Sequence, residues 1–149
     1  MKKLIPFLVL FVTNLSITNF SFADTPGAHP AYLHALTDLR GARAHLDNRG
    51  GSAKLQREDG IAVKEIDACI EEIKKASIDD GKNLNDHPGE DAGADRVGDV
   101  HRARQLLDNT KKDISGKEDD KFARGLKKRA LHHLDEALHH IDEAIRIGK

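Results

Sequence analysis

The sequence predicts an all-α protein, an antiparallel up-down-up-down four-helix bundle. Three observations support this prediction. Apolar residues recur every three or four positions in four segments, no stretch alternates apolar and polar residues as a half-buried strand does, and short polar segments separate the helical ones. Short connections join antiparallel neighbours in bundles of this kind.

The first 23 residues have the features of a secretory signal peptide. Lys2 and Lys3 precede an apolar run over residues 4–12, and Ser21-Phe22-Ala23 places small residues where a signal peptidase cleaves. The run is much shorter than the roughly 20 residues of a membrane span. We therefore expect export to a bacterial periplasm and one mature domain over residues 24–149.

The first helix is predicted over residues 30–48, with Pro30 in its first turn and Gly50-Gly51 after its end. The second is predicted over residues 59–85. Cys69 lies on the flank of its apolar face, where a buried, inert thiol is expected; a reactive thiol is the alternative. The residues of the two apolar faces are Tyr32, Ala35, Leu36, Leu39, Ala42 and Leu46, then Ala62, Ile66, Ile70, Ile73 and Ser77.

The third helix is predicted to begin near Asp95, a suitable N-cap residue. Ser115 and Glu118 have the spacing of a capping box, which predicts that the fourth helix follows and continues to about residue 147. The apolar faces of these helices contain Val100, Ala103, Leu107, Thr110 and Ile114, then Leu131, Leu134, Leu138, Ile141 and Ile145.

The chain also shows an internal repeat. Ala42-Arg43 and Leu46-Asp47-Asn48 of the first helix match Ala103-Arg104 and Leu107-Asp108-Asn109 of the third. Ile66-Asp67 of the second helix falls on Leu134-Asp135 of the fourth. Two duplicated helical hairpins explain these matches; chance agreement between amphipathic helices is the alternative.

A polar pocket is predicted at one end of the bundle. In an up-down-up-down order, the apolar faces of the second and third helices extend to Asp80 and Arg96, which would face each other beside Tyr32. The loops close to this pocket contain His29, Asp86 and His87, and we treat these residues as candidate metal ligands. One interpretation is a site for a metal ion or small ligand; the other is a structural Asp80–Arg96 ion pair that fixes the register of the helices.

The fourth helix has a second group of candidate ligands. His132 and His139 point away from its apolar face and align with Glu136 and Glu143. Imidazole and carboxylate groups on one ridge are donors for Zn²⁺ or Cu²⁺. A solvated charged face is the alternative.

Several functional classes are disfavoured. The net charge is −1 with both signs interspersed, and the mature chain keeps only Tyr32 and Phe122 as aromatic residues, so no nucleic-acid-binding surface is indicated. The sequence lacks the usual zinc-protease, phosphate-loop and serine-hydrolase motifs. We therefore expect a protein that is not an enzyme.

Several short motifs suggest a resemblance. The chain resembles a group of exported bacterial proteins with this four-helix pattern. The motifs that carry the resemblance are the segment from His29 to Arg40, Ile78-Asp79-Asp80-Gly81-Lys82, Asp86-His87-Pro88 and Phe122-Ala123-Arg124-Gly125-Leu126. The resemblance implies the fold and export. Residues 131–140 are similar to small periplasmic metal-binding proteins built from His-containing heptads.

These patterns together predict a periplasmic, non-catalytic helical bundle that binds a transition metal or a small ligand. The alternative is a protein-interaction or stress-related structural module of the cell envelope that has no ligand.

Overall fold

A computed structural model describes residues 28–47, 51–86 and 99–148. These segments contain four helices and no strand, which confirms the all-α prediction for this part of the chain. None of the described helices is both long and apolar enough to cross a membrane. The helices are α1 (Tyr32–Leu46), α2 (Ala53–Asp79), α3 (Asp99–Ile114) and α4 (Lys121–Ile147).

The direction of α3 differs from the prediction. The backbone N–H of Ala31 donates to the carbonyl of Asp113 at 3.3 Å, which places the start of α1 beside the end of α3. At the opposite end of α1, His45 Nδ1 lies 3.4 Å from Asp99 Oδ1 at the start of α3. α1 and α3 are therefore antiparallel.

α1 and α2 are antiparallel too. His29, just before α1, lies 3.0 Å from Asp80, just after α2. Nearer the other end of α1, Arg43 Nε donates to Asp67 Oδ1 at 2.7 Å. Because α2 and α3 both run opposite to α1, they are parallel, and the predicted up-down-up-down order is wrong.

α4 runs opposite to both α2 and α3. His140 lies 2.7 Å from Glu58, and His133 lies 2.8 Å from Glu65, so residues later in α4 meet residues earlier in α2. The order is up, down, down, up, and the chain between α2 and α3 joins opposite ends of the bundle. Bundles with one long crossover connection have this arrangement.

The helices form a square in which α1 and α4 each contact both α2 and α3. The core between them is aliphatic and small, and the fully buried large side chains include Leu36, Leu39, Ile66, Ile73, Leu106, Leu107, Ile114, Leu126, Leu134 and Ile141. Most of these residues lie on the faces that the helical periodicity predicts. Cys69 is fully buried as expected, and its thiol donates to the carbonyl of Ala130 on α4 at 3.4 Å.

α2 begins earlier than the predicted residue 59. The Ser52 side chain accepts a hydrogen bond from the backbone N–H of Leu55 at 3.3 Å and is the N-cap. Asp59, the residue predicted to start the helix, instead lies inside it with only 5% of its surface exposed.

α2 also ends earlier than the predicted residue 85, at a Schellman motif that follows its C-cap, Asp80. Gly81 has a φ of 73° and donates its N–H to the carbonyl of Ile78 at 3.0 Å. The N–H of Lys82 donates to the carbonyl of Ser77 at 2.8 Å. Glycine adopts this left-handed conformation without a steric cost, so the helix ends here.

The predicted capping box at Ser115 and Glu118 is wrong. Asp120 is the N-cap of α4, and its Oδ1 accepts from the N–H groups of Phe122 at 2.6 Å and Ala123 at 2.8 Å. The Ser115 hydroxyl donates to a carbonyl in the last turn of α3. Because Asp120 caps α4, the side chain of Glu118 is available for a different role.

Equivalent ion pairs join the helices within each hairpin. Arg43 of α1 bonds Asp67 of α2 at 2.7 Å, and Arg104 of α3 bonds Asp142 of α4 at 2.6 Å. The sequence comparison aligned Asp67 with Asp135, which lies one heptad before Asp142. In these ion pairs, Asp142 is therefore the counterpart of Asp67, and it lies one heptad further along α4 than the position predicted from the internal repeat.

Candidate metal centre

The segment before α1 is held against the connection between α3 and α4. The N–H of Ala28 donates to Asp119 Oδ2 at 3.0 Å, and the N–H of Asp119 donates back to the Ala28 carbonyl at 3.1 Å. Pro30 is buried in the same region and lies close to Gly116. These contacts fix His29 at the end of the bundle where α1 and α4 start and α2 and α3 end.

Glu118 is buried at this end, with 4% of its surface exposed, and it accepts several hydrogen bonds. The Tyr32 hydroxyl donates to Oε2 at 2.8 Å. Oε1 accepts from the backbone N–H of Asp120 at 2.9 Å and lies 3.0 Å from His29 Nδ1. Both carboxylate oxygens are therefore held in position by groups at the start of α1 and in the connection before α4.

Asp80 faces the same histidine but is not hydrogen-bonded in the same way. It is 1% exposed, and its Oδ1 lies 3.0 Å from His29 Nδ1. That contact does not have hydrogen-bond geometry, and neither Oδ1 nor Oδ2 accepts a hydrogen bond from any residue in the described segments. Nδ1 can carry at most one N–H, which cannot be directed at Glu118 and Asp80 at once, so no group in the described segments donates to the Asp80 carboxylate.

The electrostatics of the site follow from this burial. Burial raises the pKa of Asp80 from its ordinary value of 3.8 to about 6, the Glu118 carboxylate adds to the shift, and His29 opposes it. Burial and the hydrogen bond to Glu118 raise the pKa of Tyr32, so its phenol remains protonated and acts as a donor. A buried carboxylate without a donor is costly unless a proton or a cation balances its charge.

One ligand atom from each of His29, Asp80 and Glu118 lies within 4.8 Å of the other two. Around a tetrahedral Zn²⁺ with ligands at about 2.0–2.1 Å, two ligand atoms are separated by about 3.3 Å. The 3.0 Å separations from Nδ1 to the two carboxylate oxygens are close to this value. The three side chains thus fit the ligand set of a divalent first-row metal, with Tyr32 orienting Glu118 from outside the set.

The predicted site residues have different outcomes. Tyr32, Asp80 and His29 do lie together at one end. Asp86 is exposed, hydrogen-bonds with Asn83, and does not belong to the cluster. Arg96 and His87 lie outside the described residues, and the topology from which the Asp80–Arg96 pair was predicted is wrong.

The predicted ridge on α4 does not form a cluster of ligands in the described segments. His132 and His139 are exposed, and their rings contact those of His133 and His140, with centroids 5.8 and 5.3 Å apart. Glu143 forms ion pairs with basic residues instead, on α4 and at the start of α2. The flanking histidines, not the ridge histidines, bond to carboxylates of α2.

Sequence reasoning missed Glu118 as a ligand candidate. Its spacing from Ser115 matched a capping box, and the assumed topology placed the start of α4 at the other end of the bundle. One signal was present: Asp120 is a better-placed N-cap, which makes a capping role for Glu118 unnecessary.

Comparison of the chain with protein-family models, with curated proteins and with solved structures found no match. The resemblance to exported four-helix bacterial proteins therefore stays a prediction.

Proposed function

We propose that this protein is a periplasmic, non-catalytic four-helix bundle that binds a divalent transition metal through His29, Asp80 and Glu118. The observation that supports this proposal most directly is Asp80. Its carboxylate is almost fully buried, accepts no hydrogen bond from the described residues, and lies 3.0 Å from an imidazole nitrogen. A bound cation supplies the positive charge that this carboxylate needs.

The donor atoms suit Zn²⁺ and Cu²⁺, the two metals expected from the sequence. One imidazole and two carboxylates form a nitrogen and oxygen set of intermediate hardness, which suits Zn²⁺ and neighbouring divalent ions. Cu⁺ prefers sulfur ligands. The thiol of Cys69 is buried between α2 and α4, eleven residues before Asp80 and so about 16 Å away along the helix.

The three ligands come from segments far apart in the chain. His29 precedes α1, Asp80 follows α2 and Glu118 precedes α4. Metal binding would therefore connect both hairpins at one end of the bundle and stabilise the folded state. The corresponding ion pairs of Arg43 and Arg104 support the further proposal that the hairpins arose by duplication.

The test is a calorimetric titration of the tag-free chain from residue 24 with Zn²⁺, Cu²⁺ and Mn²⁺. We expect Zn²⁺ binding with a Kd of about 1 μM, a free energy near −8 kcal/mol. His29→Gln and Asp80→Asn should each weaken it at least about tenfold, because each removes a ligand. His132→Gln is the matched control and should leave it unchanged, since His132 is exposed and outside the cluster.

Two results would refute the proposal. One is the absence of any binding tighter than about 100 μM, near −5.5 kcal/mol. The other is equal binding by wild type, His29→Gln and Asp80→Asn, which would place the metal elsewhere on the chain.

One observation favours the alternative, an interaction module of the cell envelope. Ile78 and Phe122 are each 62% exposed, and they lie at the end of α2 and the start of α4, which meet at one end of the bundle. A photoreactive residue at position 122 should then crosslink a specific envelope protein, while one at exposed Lys128 on the same helix should not. Equal crosslinking from both positions would count against this alternative.

A further inference from the structure

A second cluster of ligand groups lies between α1 and α3. It consists of His34 and Asp38, four residues apart on one face of α1, and Asp113 in the last turn of α3. One ligand atom of each lies within 4.8 Å of the other two. His34 Nδ1 is 2.6 Å from Asp113 Oδ2, and no residue of this cluster belongs to the His29 cluster.

We infer that His34, Asp38 and Asp113 form a second site for a divalent first-row metal ion such as Zn²⁺ or Co²⁺. The set is again one imidazole nitrogen and two carboxylate oxygens, the donors that such ions accept. The inference does not depend on the proposed function, because the two clusters have separate ligands.

Burial distinguishes this cluster from an ordinary surface ion pair. Asp38 has no exposed surface, and the side chains of His34 and Asp113 are 25% and 19% exposed. A carboxylate in such a position is stable only where positive charge or a proton balances it. A divalent cation between the three groups would add positive charge beside both carboxylates.

The other histidine–carboxylate pairs of the bundle provide the comparison. His133 with Glu65 and His140 with Glu58 have similar short contacts across α4 and α2, at 2.8 and 2.7 Å. In the described segments, neither pair has a third ligand group within reach. These pairs have the geometry of structural contacts, and His133 therefore serves as the matched control for His34.

The experiment is a Co²⁺ titration of the tag-free chain from residue 24, followed by calorimetry and visible absorption. Wild type should bind two equivalents, and His29→Gln should retain one. Adding His34→Gln or Asp38→Asn to His29→Gln should weaken the remaining equivalent at least about tenfold. Adding His133→Gln should leave it unchanged.

The outcomes separate the two sites. If His29→Gln binds no Co²⁺, or if its remaining equivalent is insensitive to His34→Gln and Asp38→Asn, the second site is refuted and the first stands. If wild type binds one equivalent that only His34→Gln and Asp38→Asn remove, the first site is refuted and the second stands. Equal loss on His133→Gln would show adventitious binding and refute the second site.

A measurement on the unmodified chain covers the case in which a variant does not fold. The ring ¹⁵N resonances of His34 should shift on Zn²⁺ addition, while those of His133 and His140 should not. An unchanged His34 ring in a chain that binds Zn²⁺ would overturn the inference.

Discussion

Tyr32 and Glu118, 86 positions apart in the chain, form a buried hydrogen bond in which the phenol donates to Oε2 at 2.8 Å. The bond links the first turn of α1 to the segment just before α4. It also fixes the orientation of a carboxylate that faces His29 and Asp80. The same contact thus stabilises the end of the bundle and prepares one ligand of the proposed metal site.

Tyr32→Phe tests both roles of this hydrogen bond. The variant leaves Glu118 Oε2 buried with one donor fewer, which should cost about 1–3 kcal/mol of unfolding free energy. Loss of an orienting partner should also weaken Zn²⁺ binding about 10-fold or more. Urea unfolding in EDTA and a Zn²⁺ titration measure the two effects.

Thr110→Val is the control for Tyr32→Phe. It removes another buried hydroxyl, which donates to the carbonyl of Leu106 at 3.0 Å within α3. It should therefore change stability and leave Zn²⁺ affinity unaltered. If both variants weakened binding equally, the Tyr32–Glu118 bond would have no specific role at the site.

Asp80→Asn should stabilise the metal-free protein at neutral pH. The folded-state pKa of Asp80 is raised from 3.8 to about 6, so the folded protein holds this proton more tightly than the unfolded chain. Below about pH 4 both states are protonated and there is no cost. As the pH rises from about 4 to about 6, ionisation of Asp80 lowers the unfolding free energy, and above about pH 6 the loss reaches about 2–3 kcal/mol. Asparagine is neutral throughout and avoids this cost.

The measurement is urea unfolding of wild type and Asp80→Asn in EDTA between pH 4 and 8. The stability gained by the variant should increase with pH through this window and then level off. Asp86→Asn, an exposed carboxylate in the following connection, should show no such gain. A gain that is as large at pH 4 as at pH 7.5 would contradict the assignment to Asp80. With Zn²⁺ present the order should reverse, because the variant lacks a ligand.

Cys69 should be chemically inert in the folded protein. Burial raises the pKa of its thiol to about 12, and its Sγ contacts the carbonyl of Ala130. The reactive species is the thiolate, so alkylation by iodoacetamide at pH 8 should be slow until the protein unfolds. In urea, the rate should level off above about pH 8.5, as for an ordinary thiol. Fast labelling of the folded chain at pH 8 would show that the α2–α4 interface opens readily.

The helices and their buried faces could be predicted because the spacing of apolar residues identifies the face of each helix that is buried. Ile66 and Leu134 lie at predicted apolar positions and are fully buried. The apolar pattern does not indicate helix direction, because an aliphatic face packs equally well against a parallel or an antiparallel neighbour. A chain of the length from residue 80 to 98 can span up to about 60 Å, whereas α3, with 16 residues, is about 24 Å long. The connection is therefore long enough for α3 to run in either direction.

The same reasoning explains which site residues could be found. Tyr32 and Asp80 were placed together because α1 and α2 are consecutive and antiparallel, which holds in either topology. The end of the bundle at which Glu118 lies depends on the direction of α3. Because that direction was predicted wrongly, Glu118 was expected at the end opposite to Tyr32 and Asp80. The end of α2 was missed because the predicted helix was extended past Gly81 to residue 85. A glycine after the last buried positions of a helix favours a helix end at that point.

The direction of α3 can be measured with spin labels at exposed positions. Asp47 follows the end of α1, His101 lies in the first turn of α3, and Ala31 precedes α1. The separation between labels at Ala31 and His101 should exceed that between Asp47 and His101 by about 20 Å, the length of α1. Cys69 should remain unlabelled because it is buried.

A third pair, Ala31 and Ser115, should be close, because the start of α1 meets the end of α3. In an up-down-up-down bundle these relations invert: Ala31 would be near His101 and far from Ser115. That result would also separate Glu118 from Tyr32 and His29. The proposed metal site would then lose its third ligand, so the site requires α3 to run antiparallel to α1.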